Sequence, residues 1–262
     1  MSLKEYIAKK WAARRVRQVQ EMQRAPWIHQ EQTLANLIHT ARETAFGHDH
    51  SFDKIRTYND FKQAVPLRNY EGLKNYIDRA YKGEKNVLWP GRPSYFAKTS
   101  GTTSGAKNIP ISRQSIPNHI KGARDTLFFY LYETGNTSFL NGKMTFLSGS
   151  PVLEKNDAGI PVGRLSGIVH HYVPFYLQTN RIPSYKTNCI EDWEQKIEAI
   201  LDEAISADLR LISGIPPWVQ MLFERLQERT GKRVSQVWPN LSVFAHGGVD
   251  YTAYKTIFDR FF

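Results

Sequence analysis

Apolar residues recur at near-helical intervals through the first ninety residues. Leu3, Tyr6, Ile7, Trp11, Val16 and Val19 predict a first helix with a stripe to pack against the body of the protein. Pro26 ends it, and residues 30–44 resume the pattern with Leu34, Leu37, Ile38 and Ala41 on one face. Asn59 or Thr57 is placed to cap a short helix carrying Phe61 and Ala64. Asn69 is placed to cap another carrying Leu73, Tyr76 and Ile77. Gly83 and the run Pro90-Gly91-Arg92-Pro93 then punctuate the chain, which sets a boundary between a helical region, 1–90, and the remainder, 91–262.

Beyond that boundary the period changes. Residues 94–97 and 109–111 read as short strands around a loop, and Ser112 as the cap of a long helix carrying His119, Ala123, Leu127 and Leu131, ending before Gly135. Residues 144–147 predict a strand, residues 151–163 a glycine-rich loop or hairpin, and residues 167–176 an aromatic, apolar stretch. Residues 191–207 form a helical pattern burying Trp193, Ile197, Ile200 and Leu201. They are followed by a buried strand at 209–213, a helix opened by Pro216 and a strand at 241–245. Alternating strands and helices argue an α/β fold with a layered sheet.

Composition narrows the class. At 262 residues with 41% hydrophobic and 13% aromatic content, the chain has ample material for a packed core. No apolar run reaches the roughly 18 to 20 residues that cross a bilayer, and no signal-peptide h-region follows the charged start, so the expected location is cytoplasmic. The single cysteine, Cys189, cannot form an internal disulfide. The net charge of +10 is uneven: in residues 1–25 Lys4, Lys9, Lys10, Arg14, Arg15, Arg17 and Arg24 face only Glu5 and Glu21. A solvated helix face accounts for this excess. Nucleic-acid contact is its rival, and neither nucleic acid nor membrane is the expected partner.

The candidate chemistry sits at residues 98–110, Lys-Thr-Ser-Gly-Thr-Thr-Ser-Gly-Ala-Lys-Asn-Ile-Pro. Gly101 and Gly105 let backbone N–H groups approach an oxyanion, Ser100, Thr102, Thr103 and Ser104 add hydroxyl donors, and Lys107 adds a mobile positive charge. The Walker pattern places Ser or Thr beside its Lys and leads into a helix. Here Asn108 follows Lys107 and Pro110 opposes a helix, so a Walker ATPase is disfavoured. His170 and His171 invite a metal reading, but neighbouring histidines diverge on a strand and no further ligand stands at suitable spacing, so no protein metal site is expected.

The loop's order of residues resembles the ATP loop of adenylate-forming enzymes, and the chain as a whole resembles the GH3 family, the acyl-acid amido synthetases related to auxin-responsive plant proteins. The likeness runs through Pro26-Trp27-Ile28-His29-Gln30-Glu31, Thr44-Ala45-Phe46-Gly47, Val65-Pro66-Leu67, Tyr70-Glu71, residues 83–89, the loop at 99–107 and Ile215-Pro216-Pro217-Trp218. The resemblance implies that a small carboxylic acid attacks the α-phosphate of Mg·ATP and that the acyl adenylate then passes to an amino acid's amine, with Lys107 and Thr102 in catalytic roles. It implies nucleotide contacts by residues 100–105, by Lys107 and by Gly247, Gly248 and Val249, and an acid pocket from Arg124, Leu165, Ser166, Ile168 and Val169. Magnesium ligands and a mobile C-terminal domain are expected beyond residue 262, which makes a fragment, inactive alone, the expectation. An acyl-CoA ligase and a nucleic-acid-binding module are the alternatives. The native acid, the acceptor and the oligomeric state are not legible.

Overall fold

A computed structural model of the chain describes residues 2–99, 105–172 and 179–262. Up to residue 90 the elements are helices whose ends follow local chemistry. The first, Leu3–Arg24, gives way to Pro26–Ala41, with proline in the first turn where its missing N–H costs nothing. Thr57, not Asn59, caps Tyr58–Ala64. Its hydroxyl accepts from Asp60 N at 3.1 Å while the Asp60 carboxylate accepts from Thr57 N at 2.9 Å. Asn69 Oδ1 accepts from Gly72 N at 3.0 Å to open Tyr70–Tyr81.

The stripe expected on the first helix packs only in part. Leu3 and Trp11 are 76% and 60% exposed, whereas Val16 is fully buried, as is Ala12, which the stripe did not include. Ala12 lies among Leu131, Phe139 and Met144, where a small side chain admits close approach of the helix. The helix expected to start at Ser112 starts at Ile116 instead. Pro117 is tolerated only in a first turn, so the preceding residues form a turn in which Ser112 Oγ accepts from Ser115 N at 3.1 Å.

Among the described residues the strands are β1 (Tyr95–Lys98), β2 (Asn108–Ile111), β3 (Lys143–Phe146), β4 (Glu154–Lys155), β5 (Pro161–Gly163), β6 (Arg181–Ile182), β7 (Leu209–Ser213) and β8 (Val243–Ala245). The chain forms two compact units that interleave in sequence. One comprises Arg15–Lys121 and Leu153–Ile168, the other Met1–Arg14, Gly122–Val152 and Val169–Phe262.

The first unit carries a mixed sheet in the order β2-β1-β5-β4, with β1 antiparallel to β2 and parallel to β5. Phe96 and Val162 of this sheet pack with Ile77, Ala80, Val87 and Ile160. A separate cluster of Ile38, Ala41, Phe52 and Ile55 holds the N-terminal helices.

The second unit is built on a parallel sheet in the order β6-β3-β7-β8. Met144 and Leu211 face one side with Leu131 and Phe139. Ile212 faces the other, packed with the helices Trp193–Ala204 and Pro216–Thr230 through Ile197, Leu201, Val219, Leu222 and Phe223. Burial on both faces is what a parallel sheet requires.

One further expectation needs correction. His170 ends a helix, Leu165–His170, in place of a strand, because β5 is complete at Gly163 and Ile168 N already bonds Arg164 O at 3.0 Å. The last helix ends at Phe258, and residues 259–262 are turn and coil. No helix among the described residues is long and apolar enough to cross a membrane.

Candidate functional site

The hydroxyl-rich loop joins β1 to β2 as the end of a hairpin. Lys98 pairs with Asn108, and the next rung is Thr99 N donating to Lys107 O at 3.0 Å, with Lys107 N donating to Thr99 Oγ1 at 3.2 Å. Ser100, Gly101, Thr102, Thr103 and Ser104 lie outside the described residues. Gly105 is exposed at φ +79, with nothing within 4 Å of where a Cβ would stand. The Lys107 ammonium rests over the Tyr70 ring at 5.4 Å, and Tyr70 Oη accepts from Asn108 N at 3.0 Å, which ties the loop's exit to the helix Tyr70–Tyr81. No carboxylate pairs with Lys107 among the described residues. A cation without an acidic partner beside an open glycine fits a phosphate-bearing ligand.

In the other unit the chain steps from β3 outward to β6 on one side and to β7 and β8 on the other. The loops after β3 and β7 therefore leave in opposite directions, the arrangement that opens a ligand crevice at the carboxyl ends of a parallel sheet. Past the strands, Leu147 N bonds Ser213 O at 2.8 Å and Gly214 N bonds Ala245 O at 3.1 Å, which brings the exits of β3, β7 and β8 side by side. His246, Gly247, Gly248 and Val249 stand at this edge, all exposed. Nothing stands within 4 Å of a Gly247 Cβ. The ring of His246 stacks on Tyr251 with centroids 4.6 Å apart.

Gly248 has φ +85, and a Cβ there would meet Ile215 Cγ2 at 3.2 Å. Replacing it with alanine forces a left-handed backbone on a side chain, at about 1–2 kcal/mol. Gly248→Ala is expected to lower the denaturation midpoint, whereas Gly247→Ala leaves it unchanged. Calorimetric melting checks both, and equal midpoints for the two variants would contradict it.

The residues expected at the acid pocket fall into different settings. Ile168 is 1% exposed and packs with Ala97, Ile111 and Ile116, while Leu165 and Ser166 are exposed on the same short helix. Val169 is half-buried. Arg124 is exposed, 3.2 Å from Asp125 and 5.3 Å from the Phe128 ring.

One cluster escaped the sequence. Arg181 Nη2 donates to His170 Nδ1 at 3.0 Å, and Asn188 Nδ2 approaches the same nitrogen at 3.3 Å. Lys196, 2% exposed, donates to Asn188 O at 2.6 Å and Ser148 O at 3.0 Å. Burial first, then the charges of Arg181, His171 and Lys196, lower the pKa of His170 from the ordinary 6.5 to about 4. The unfolded chain thus binds a proton that the folded chain refuses between these values. The contribution to stability is full above about pH 6.5 and is lost as pH falls toward about 4. Denaturant unfolding at pH 7.5 and 5 is expected to show a smaller drop for His170→Gln than for the unsubstituted chain; identical drops would refute the assignment. A histidine pair carries no spacing signal, and Arg181 reads as a lone cation in a polar stretch, so nothing in the sequence pointed to their contact.

One unit carries a parallel sheet with glycines past its carboxyl edge, and the other carries the hairpin at β1 and β2. The chain belongs to the GH3 family: the profile described as GH3 family N-terminal domain matches residues 15–185 and 164–262. Indole-3-acetic acid-amido synthetase GH3.15 of Arabidopsis thaliana is 38% identical over 63 residues, 23% of this chain and 11% of that protein. The solved structure of a GH3.15 acyl acid amido synthetase superposes with TM-score 0.69 at 14% identity, covering 88% of this chain and 50% of that one. A second, AtGH3.15 acyl acid amido synthetase in complex with 2,4-DB, gives 0.60 at 18% identity, covering 88% and 40%. The fold is shared, and the chain spans about half the length of these solved relatives or less.

Proposed function

We propose that this chain binds Mg·ATP and a small carboxylic acid as the activating part of an acid-amino acid ligase. The observation that carries the reading is the phosphate-type hairpin, with Lys107 lacking an acidic partner among the described residues, in a chain of the GH3 family. In the reaction, a carboxylate oxygen bonds to the α-phosphorus of ATP as the bond to pyrophosphate breaks. The amine of an amino acid then bonds to the acyl carbon, AMP leaves, and the amine loses a proton.

Negative charge grows on the departing pyrophosphate, so the hairpin's hydroxyls, its N–H groups and Lys107 act most strongly in the transition state. Gly247, Gly248 and Val249 form the shelf for the base, since glycine lets a flat ring approach the backbone. Arg124, Leu165, Ser166 and Val169 contribute to the acid's surroundings, and Ile168 supports them from the core.

Acid-dependent exchange of labelled pyrophosphate into ATP tests the reading. It should be measured on this chain and on the longest product that its gene encodes. Exchange that depends on added acid supports it, and ATP binding without acid-dependent exchange in either protein refutes it. Offering the preformed acyl adenylate an amino acid or coenzyme A then distinguishes amide from thioester formation.

A further inference from the structure

Buried polar atoms without a hydrogen-bond partner mark places where a ligand or water is owed. Arg181 Nε and Asn188 Oδ1 are two such atoms, and both belong to the cluster around His170. Arg181 stands on β6 opposite Met144, and its guanidinium lies over the Phe146 ring at 5.4 Å. Its ionisation is influenced by burial alone, with no carboxylate contributing, and no described ion pair includes it. A partly buried guanidinium without a counter-ion is costly, and an anion from outside removes that cost.

Asn188 is 1% exposed; its side-chain amide meets the imidazole, and its backbone carbonyl accepts from Lys196. Because His170 Nδ1 accepts from Arg181 and Asn188, the ring's proton resides on Nε2, which makes a neutral N–H donor. Tyr185, 55% exposed, and His171 place their rings 5.8 and 6.0 Å from that of His170. One guanidinium, one neutral donor and aromatic walls match a planar monoanion with an apolar body better than a phosphate dianion.

We propose that Arg181 and His170, positioned by Asn188, bind the carboxylate of an aryl or alkyl organic acid. That this acid is the one activated rests on the adenylation reading; the binding itself does not.

Titration calorimetry of this chain with benzoate and with its neutral isostere benzamide, without ATP, tests the site. Benzoate is expected to bind about 10- to 100-fold more tightly. Arg181→Gln abolishes the preference and Arg181→Lys restores part of it. Asn188→Asp supplies the anion internally, so it raises the melting temperature and abolishes benzoate binding, and it decides the matter if Arg181→Gln does not fold. Equal affinity for the two probes, a preference that survives Arg181→Gln, or benzoate binding undiminished in Asn188→Asp overturns the proposal. Displacement of benzoate by an equal concentration of inorganic phosphate overturns the carboxylate assignment. Benzoate preference without pyrophosphate exchange counts against adenylation only. Exchange without the preference counts against this site only.

Discussion

Lys107→Ala is expected to slow acid-dependent pyrophosphate exchange by about 10²-fold, with Thr102→Ala close behind, in whichever product of the gene supports exchange. The expected loss lies in kcat more than in the KM for ATP, because charge moves onto the pyrophosphate only as the α-phosphorus bond breaks. Lys107 is already held over Tyr70 at the hairpin's closing rung, so it is poised before substrate arrives. Removing that cation leaves the hairpin's backbone pairing with Thr99 intact, and the variant should fold normally. Circular dichroism and melting establish the fold, and steady-state exchange at varied ATP gives the split. Unchanged kcat in both variants would remove the hairpin from the chemistry.

The largest effect on stability is expected at Trp238. Its side chain is 1% exposed, packs 6.3 Å from the Phe223 ring, and donates from Nε1 to Ala204 O at 2.8 Å. That carbonyl lies in the last turn of the helix Trp193–Ala204, where backbone acceptors have lost their helical partners. Trp238→Ala creates a cavity and orphans the carbonyl, costing about 3–5 kcal/mol. Trp238→Phe retains most of the apolar area and loses the bond, costing about 1–3 kcal/mol. Urea unfolding measures both. A loss of under about 1 kcal/mol for the alanine variant would mean that the site collapses around the gap.

Helix ends were legible where one side chain decides them. Asn69 and Pro216 both mark starts, whereas the cap at Asp192 and the end at Gly231, at φ +66, went unread. The strands at 209–213 and near 243–245 were legible because branched and aliphatic residues run together between turn residues. The stripe read on the first helix included the buried Val16 but missed Ala12, because a small residue carries little weight in an apolar periodicity. The residues proposed for the nucleotide lie in contiguous strings, 99–107 and 246–249, and so could be put forward from the sequence. The Arg181 cluster could not, because its members come from the end of one helix, a two-residue strand and the end of another short helix, and only the folded sheet brings them together.

The interleaving of the two units bears on the order in which the chain can mature during synthesis. The unit containing the hairpin lacks β5 until residues 161–163 emerge, although its helices and β1 are made much earlier. Between these two contributions the ribosome must deliver Gly122–Val152, which belongs to the other unit and whose strand β3 finds its neighbours β6 and β7 only later. Both sheets therefore close over long sequence separations, which slows folding and lengthens the exposure of unpaired strand edges. No single internal cut releases either unit whole, so early truncations should yield chaperone-bound or degraded chains and not a stable half.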